Sequence, residues 1–205
     1  MKIHLPLLLA LPLLLAACKG KPQPQGAAVD DAADSVAIAD TIVATADYLT
    51  PDSLGPIRVG KPLADIPSSY PGLYDTQLPA QTPDAMAVTY VKGADAVCTA
   101  YDFGGGKVDV IVLEEGGPGV MTPEGVLRIG DDFTKVLRLP GVRSEWANMD
   151  DAGVWYWVWN GIWFGVDEGT ASDALLDALE TSRHAPRAAD LEKAKIGYIA
   201  TGLPF

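Results

Sequence analysis

Apolar and polar positions divide the chain into three stretches. Leu5 to Ala17 is an apolar run broken only by Pro6 and Pro12. Residues 19 to 49 carry Ala, Asp, Lys, Pro and Gln with little apolar bulk, which favours a disordered spacer. From Pro51 onward, alternating apolar residues, aromatic residues and glycine turns continue to the C-terminus. The alternation there predicts strands at Met86 to Val91, Ala96 to Phe103 and Lys107 to Glu115, with turns at Gly93 and at Gly104-Gly105-Gly106. Further on it predicts strands at Val154 to Trp159 and Ile162 to Asp167, a helix from Ser172 to Arg183, and a last strand at Lys195 to Ile199. Leu175, Leu176 and Leu179 share one face of that helix.

Asn160-Gly161 joins the two strands richest in aromatic residues. Both residues tolerate positive φ, so the pair predicts a two-residue hairpin turn that fixes the register. Trp159 then faces Ile162, Trp157 faces Phe164 and Trp155 faces Val166. That face is wholly apolar and is assigned to the core. Tyr156, Val158 and Trp163 occupy the opposite face, where a sheet covered on one side is normally polar. Either the helix around Leu175 to Leu179 covers them, or they form an exposed aromatic patch for a partner. These three residues are the candidate partner-binding site, because aromatic side chains dominate binding hot spots.

Two segments read alike: 50-TPDSLGPIRVGKPLADI-66 and 122-TPEGVLRIGDDFTKV-136. Each begins Thr-Pro-acid and continues apolar-Arg-apolar-Gly, at Ile57 to Gly60 and Leu127 to Gly130. Each then carries an apolar pair three apart, Leu63 with Ile66 and Phe133 with Val136, and reaches Pro-Gly-apolar at Pro71-Gly72-Leu73 and Pro140-Gly141-Val142. Lys195-Ile196-Gly197-Tyr198-Ile199 echoes Lys107-Val108-Asp109-Val110-Ile111. The expected fold is therefore α+β, two tandem helix-plus-three-stranded antiparallel meander repeats spanning 51–121 and 122–205. A duplicated unit of this kind buries its apolar face against its twin.

The order of a glycine, a short amphipathic helix, Pro-Gly and an aromatic hairpin resembles the repeat of the β-lactamase-inhibitor-protein superfamily. It is similar also to the small outer-membrane assembly lipoproteins of the SmpA/OmlA type. Ile129-Gly130, Trp155-Tyr156-Trp157 and Gly106-Lys107-Val108 carry the likeness. It implies an α+β architecture and a non-catalytic binding role.

The N-terminus supplies an address. Met1-Lys2-Ile3-His4 followed by a short apolar run and small residues has the three parts of a secretory signal. A run this short falls below the roughly 20 apolar residues that a membrane span needs. Leu15-Ala16-Ala17-Cys18 resembles a bacterial lipobox, so residues 1–17 are expected to be a signal peptide and Cys18 the lipidated residue. Residues 18–50 are then a flexible tether, and 51–205 the folded domain. Anchoring by more than one acyl chain is stable, since each buried methylene contributes about 0.8 kcal/mol. The expected location is the cell envelope, lipid-anchored on the outer membrane facing the periplasm.

Charge narrows the partners. One of the 15 basic residues leaves with residues 1–17, so 14 remain against 27 acidic ones. Phosphate backbones and anionic headgroups repel such a chain, which excludes nucleic acid and leaves lipid as the means of membrane attachment. The expected partners are the membrane, through Cys18, and an envelope protein.

Candidate chemistry is sparse. Beyond Cys18 only Cys98 remains, so no CxxC metal or redox site exists, and a lone strand cysteine reads as a small buried hydrophobe. His184 lies in a loop after the predicted helix, while His4 belongs to the signal. Asp131-Asp132 opens a predicted helix, where acids cap the positive end. Gly104-Gly105-Gly106 lacks the following Gly-Lys-Ser/Thr of a phosphate loop. No cofactor, metal or catalytic residue is assigned, and the chain is read as a non-catalytic binding or scaffold module. Two alternatives stay open: an envelope hydrolase using acids such as Asp102, Asp109 or Asp167, and an inhibitor or sensor that binds an enzyme or small ligand.

Overall fold

The computed structural model describes residues 48–81, 85–149, 152–181 and 184–202. Cys18, the signal and all of the tether but its last residues lie outside them. Leu49 and Thr50, assigned to the tether by composition, belong to the folded body: Leu49 is buried and its N–H donates to Gly119 O at 2.9 Å.

Strands dominate. A small ribbon, β1 (Ser53–Leu54) with β2 (Ile57–Arg58), leads through a 3-10 turn at Leu63–Asp65 into β3 (Thr76–Gln81), β4 (Met86–Lys92), β5 (Asp95–Asp102) and β6 (Val110–Leu113). A second ribbon, β7 (Val120–Thr122) with β8 (Gly125–Leu127), leads through the one-turn helix α1 (Thr134–Leu137) into β9 (Arg143–Met149), β10 (Ala152–Trp159) and β11 (Ile162–Val166). Helix α2 (Asp173–Thr181) and a 3-10 turn at Ala188–Leu191 precede β12 (Ile196–Thr201). The large strands form one eight-stranded antiparallel sheet in the order β3-β4-β5-β6-β12-β11-β10-β9. Two four-stranded runs meet at its centre, where Val112 faces Ala200 and Ile111 faces Thr201.

This corrects the expected α+β fold of helix-plus-three-stranded units: the structure is mostly β, and among the described residues only α2 exceeds one helical turn. The physical reasons are local. Pro62 and Pro67 bracket Leu63 to Ile66, and Ile66 is extended at ψ 128°, as a residue before proline prefers. Four residues between prolines hold a 3-10 turn and no more. Pro140-Gly141, with Gly141 at φ 77°, ends the second segment as abruptly. Of the strands the sequence pattern missed, β3 and β9 are the two edges of the large sheet. Thr-Gln-Leu-Pro-Ala-Gln and Arg-Ser-Glu-Trp-Ala-Asn-Met carry the polar residues and proline that exposed edges favour, which hides the strand pattern.

The glycine turns dock alike in both halves. Gly60 at φ 79° donates its N–H to Val108 O at 2.7 Å, and Val108 donates to Lys61 O at 2.8 Å. Gly130 at φ 85° donates to Ile196 O at 2.7 Å, and Ile196 donates to Asp131 O at 2.8 Å. Positive φ is what lets each chain turn back onto a sheet strand here.

The core occupies one face of the sheet. Leu54, Ile57, Phe133, Val136, Leu175 and Leu179 come from the ribbons and helices. They pack on Tyr90, Cys98, Ile111, Trp157, Phe164 and Ile199 of the strands. Phe133 meets Trp157 edge-on with ring centroids 4.8 Å apart. Helix α2 starts where Ser172 Oγ accepts the Leu175 N–H at 3.3 Å, an N-cap that holds its Leu175–Leu179 stripe over the sheet. Burying each of those leucines contributes about 1.5–3 kcal/mol.

Candidate functional site: the open face of the sheet

Among the described residues, the opposite face is built from the strands of the sheet. Successive cross-strand pairs give one row running Leu78, Thr89, Thr99, Val112, Ala200, Trp163, Val158, Arg143. None of these residues belongs to the buried cluster of the core, although Thr99, Val158, Trp163 and Ala200 are themselves buried. Helix α2 lies with the core, because Leu175 and Leu179 pack in the cluster that holds Trp157 and Phe164. A sheet face away from the core is normally polar, whereas this one carries Trp163 in the row and Tyr156, Tyr198 and Tyr101 beside it.

The three sequence candidates share this face but differ in access. Trp163 is 7% exposed and Val158 4%, so both are packing residues; Tyr156 is half-buried. Trp163 meets the Tyr156 ring edge-on at 5.9 Å, and Tyr156 meets Tyr198 at 5.7 Å. Gly165 makes that packing possible: a Cβ there would lie 3.0 Å from Tyr198 Cβ and 3.3 Å from Tyr156 Cε1. Sequence reasoning missed Tyr198, Tyr101 and Phe103. Phe103 is 55% exposed, and its ring stacks on Tyr101 at 6.3 Å and 9°. The alternation of the strand expected at Ala96 to Phe103 placed Tyr101 and Phe103 on one side, and that was the available signal. Burial pushes the hydroxyl pKa up at Tyr156, Tyr198 and Tyr101, with Glu168 adding at Tyr156 and Glu114 at Tyr101.

The hairpin departs from its expected register away from the turn. Trp157 pairs with Phe164, Val158 with Trp163 and Trp159 with Ile162, as Asn160-Gly161 dictates. Trp155 does not pair with Val166. It sits opposite Trp146 of β9, with rings 5.4 Å apart, while a bulge at Gly165/Val166 shifts the register of β11 against β12. The strands part, and a cavity of about 390 Å³ opens between Trp155 and Tyr156 on one side and Gly165 to Glu168 on the other. A second cavity of about 370 Å³ opens where β6 and β12 part, beside Tyr101, Glu114 and Glu115. Tyr198, Gly197 and Asp167 line both.

Other candidate groups are accounted for by packing. Cys98 is buried, and burial pushes its thiol pKa well up, so it is no nucleophile at neutral pH. His184 is exposed. The carboxylate of Asp102 accepts the N–H groups of Gly104, Gly105 and Gly106 at 2.8, 2.7 and 3.0 Å; these bonds, Gly104's foremost, lower its pKa against the cost of desolvation. Asp109 accepts from Phe103 N and Asp167 from Gly169 N. The Asp131 carboxylate accepts the Arg128 N–H at 2.8 Å and pairs with Lys135, and Asp132 pairs with Lys195; neither caps α1, whose N-cap is Phe133 without a side-chain bond. Among the described residues no group of three or more His, Cys, Asp or Glu is placed to hold a metal, and no helix is long and apolar enough to cross a membrane. Compared with models of protein families, with curated proteins and with solved structures, the chain matches none.

Proposed function

We propose that this chain is a lipid-anchored, non-catalytic binding module of the bacterial cell envelope, which holds another protein against the open face of its sheet. The observation that carries the reading is the aromatic row of Phe103, Tyr101, Tyr198 and Tyr156 on the face of the sheet away from the buried core cluster. Contiguous apolar surface of this kind is costly to expose and marks interaction sites. The signal-like N-terminus and Cys18 support the anchored part. The acids of the hydrolase alternative bond to neighbouring backbone, which favours binding over catalysis.

Two experiments test it. A photo-crosslinking amino acid in place of Phe103 should trap a discrete envelope protein in cells, while the same group at exposed Met121, on the second ribbon, should not. Equal yields at both positions would dismiss the face. Cys18→Ala should abolish lipid attachment; a variant that still partitions into detergent like the wild type after signal cleavage would dismiss the anchor.

A further inference from the structure

We infer that the two openings in the sheet receive basic side chains, Lys or Arg, from one segment of the partner protein. The inference rests on the proposed binding face and names the chemistry of what binds there.

The cavities are adjacent and chemically alike. The first places Trp155, Tyr156 and Tyr198 beside Asp167, Glu168 and Glu180, with Leu176 and Leu179 at its apolar side. The second places Tyr101 and Tyr198 beside Glu114, Glu115 and Asp167. None of the described residues lining either cavity is Lys, Arg or His. A Lys or Arg side chain has an apolar stem and a cationic tip. The stem matches the leucines, and the tip is attracted both by carboxylates and by aromatic faces. An anionic ligand is repelled, and a neutral one leaves the acids without a counter-charge. The formal charge of −12 draws a basic segment toward the molecule from a distance.

Two cavities sharing the wall of Tyr198, Gly197 and Asp167 fit two side chains of one segment better than two separate small molecules. Once the first basic side chain is seated, the second binds at high effective concentration. The glycine in that wall is required, since a Cβ at Gly197 would lie 2.4 Å from Asp167 Cα.

The test uses the full chain in neutral detergent at low salt, with tryptophan emission as readout, because Trp155 lines the first cavity. Peptides with one or two lysines on an uncharged spacer are titrated, alongside a glutamate peptide and cadaverine. The two-lysine peptide should bind saturably and at least about tenfold more tightly than the one-lysine peptide. Glu168→Gln combined with Glu180→Gln, and separately Glu115→Gln, should each weaken it by roughly two- to fivefold, the range for exposed ion pairs. These acids are exposed, so the fold should persist. Glu192→Gln, exposed and away from both cavities, should change nothing. Absence of saturable binding overturns the inference, as does equal weakening by Glu192→Gln, which signals diffuse charge attraction. Cadaverine binding as tightly as the two-lysine peptide overturns it in favour of a small-amine site. A retained crosslink from position 103 with no peptide binding means that the binding face stands and the basic partner falls. Loss of both removes the reading beneath as well.

Discussion

Trp163→Ala separates packing from recognition on the open face. The indole is 7% exposed, with Ala200 and Val158 as cross-strand neighbours and the Tyr156 ring at 5.9 Å. A buried aromatic removes about 150–250 Å² from water, and at about 25 cal/mol per Å² that corresponds to roughly 4–6 kcal/mol. Truncation to alanine in a closed core typically costs about 3–5 kcal/mol, part of it for the void left behind. Trp163 lies outside the core cluster and keeps 7% of its surface exposed, so the void left by truncation is partly relieved by solvent and the loss should be smaller, about 2–3 kcal/mol. Trp157→Ala lies beneath the helix layer against Phe133 and Phe164 and should cost the upper part of the range, about 4–5 kcal/mol. Urea unfolding of the chain expressed from Lys19 gives both numbers. With about 2–4 °C per kcal/mol, the melting temperature should fall by roughly 4–12 °C at Trp163. A Trp163 variant within about 0.5 kcal/mol of the wild type, the size of an ordinary surface substitution, would show that the indole is not packed and would refute the reasoning. Losses at the two tryptophans that agree within the same margin would show that the open face is as closed as the core.

Three further outcomes follow from named contacts. Asp102 has a pKa lowered in the folded chain, so its contribution is present above the ordinary carboxylate value of about 3.9 and is lost as pH falls through the folded value; Asp102→Asn should flatten the acid limb of stability measured by denaturation across that window. Gly197→Ala places a Cβ 2.4 Å from the backbone of Asp167, so β11 and β12 must separate, and the variant should lose more than about 1 kcal/mol and both cavities' shape; unchanged stability in thermal melts would contradict the close approach. Cys98 is buried with its thiol pKa pushed up, so Ellman's reagent should react with it only at the rate of unfolding, and rapid reaction in the native chain would place it elsewhere.

What the chain reveals by itself is what short-range chemistry decides. Asn160, at φ 48°, and Gly161, at φ 77°, adopt the turn that their side chains permit, and the turn sets Trp157 against Phe164 and Trp159 against Ile162. The 3.6-residue spacing of Leu175 and Leu179 identifies a helix and its buried side, which Ser172 then caps. The apolar-Arg-apolar-Gly segments mark two turns that dock on later strands. Those signals hold because each involves residues within a few positions of one another.

Tertiary structure decided the rest. Edge strands β3 and β9 have a neighbour on one side only, so their polar composition carries little strand signal, and they are strands because β4 and β10 pair with them. The hairpin pairing with β11 ends at Trp157 and Phe164, Trp155 keeps only its pairing with Trp146 of β9, and a bulge at Gly165/Val166 shifts β11 against β12; the cavity lies beside that break. Which face α2 covers depends on how the chain returns from β11 to β12, and no local pattern encodes that path. The burial of Trp163 has the same origin: its own face is aromatic by sequence, and the pairing of β11 with β12, which brings Ala200 alongside, together with the Tyr156 ring, helps turn it into a packed residue.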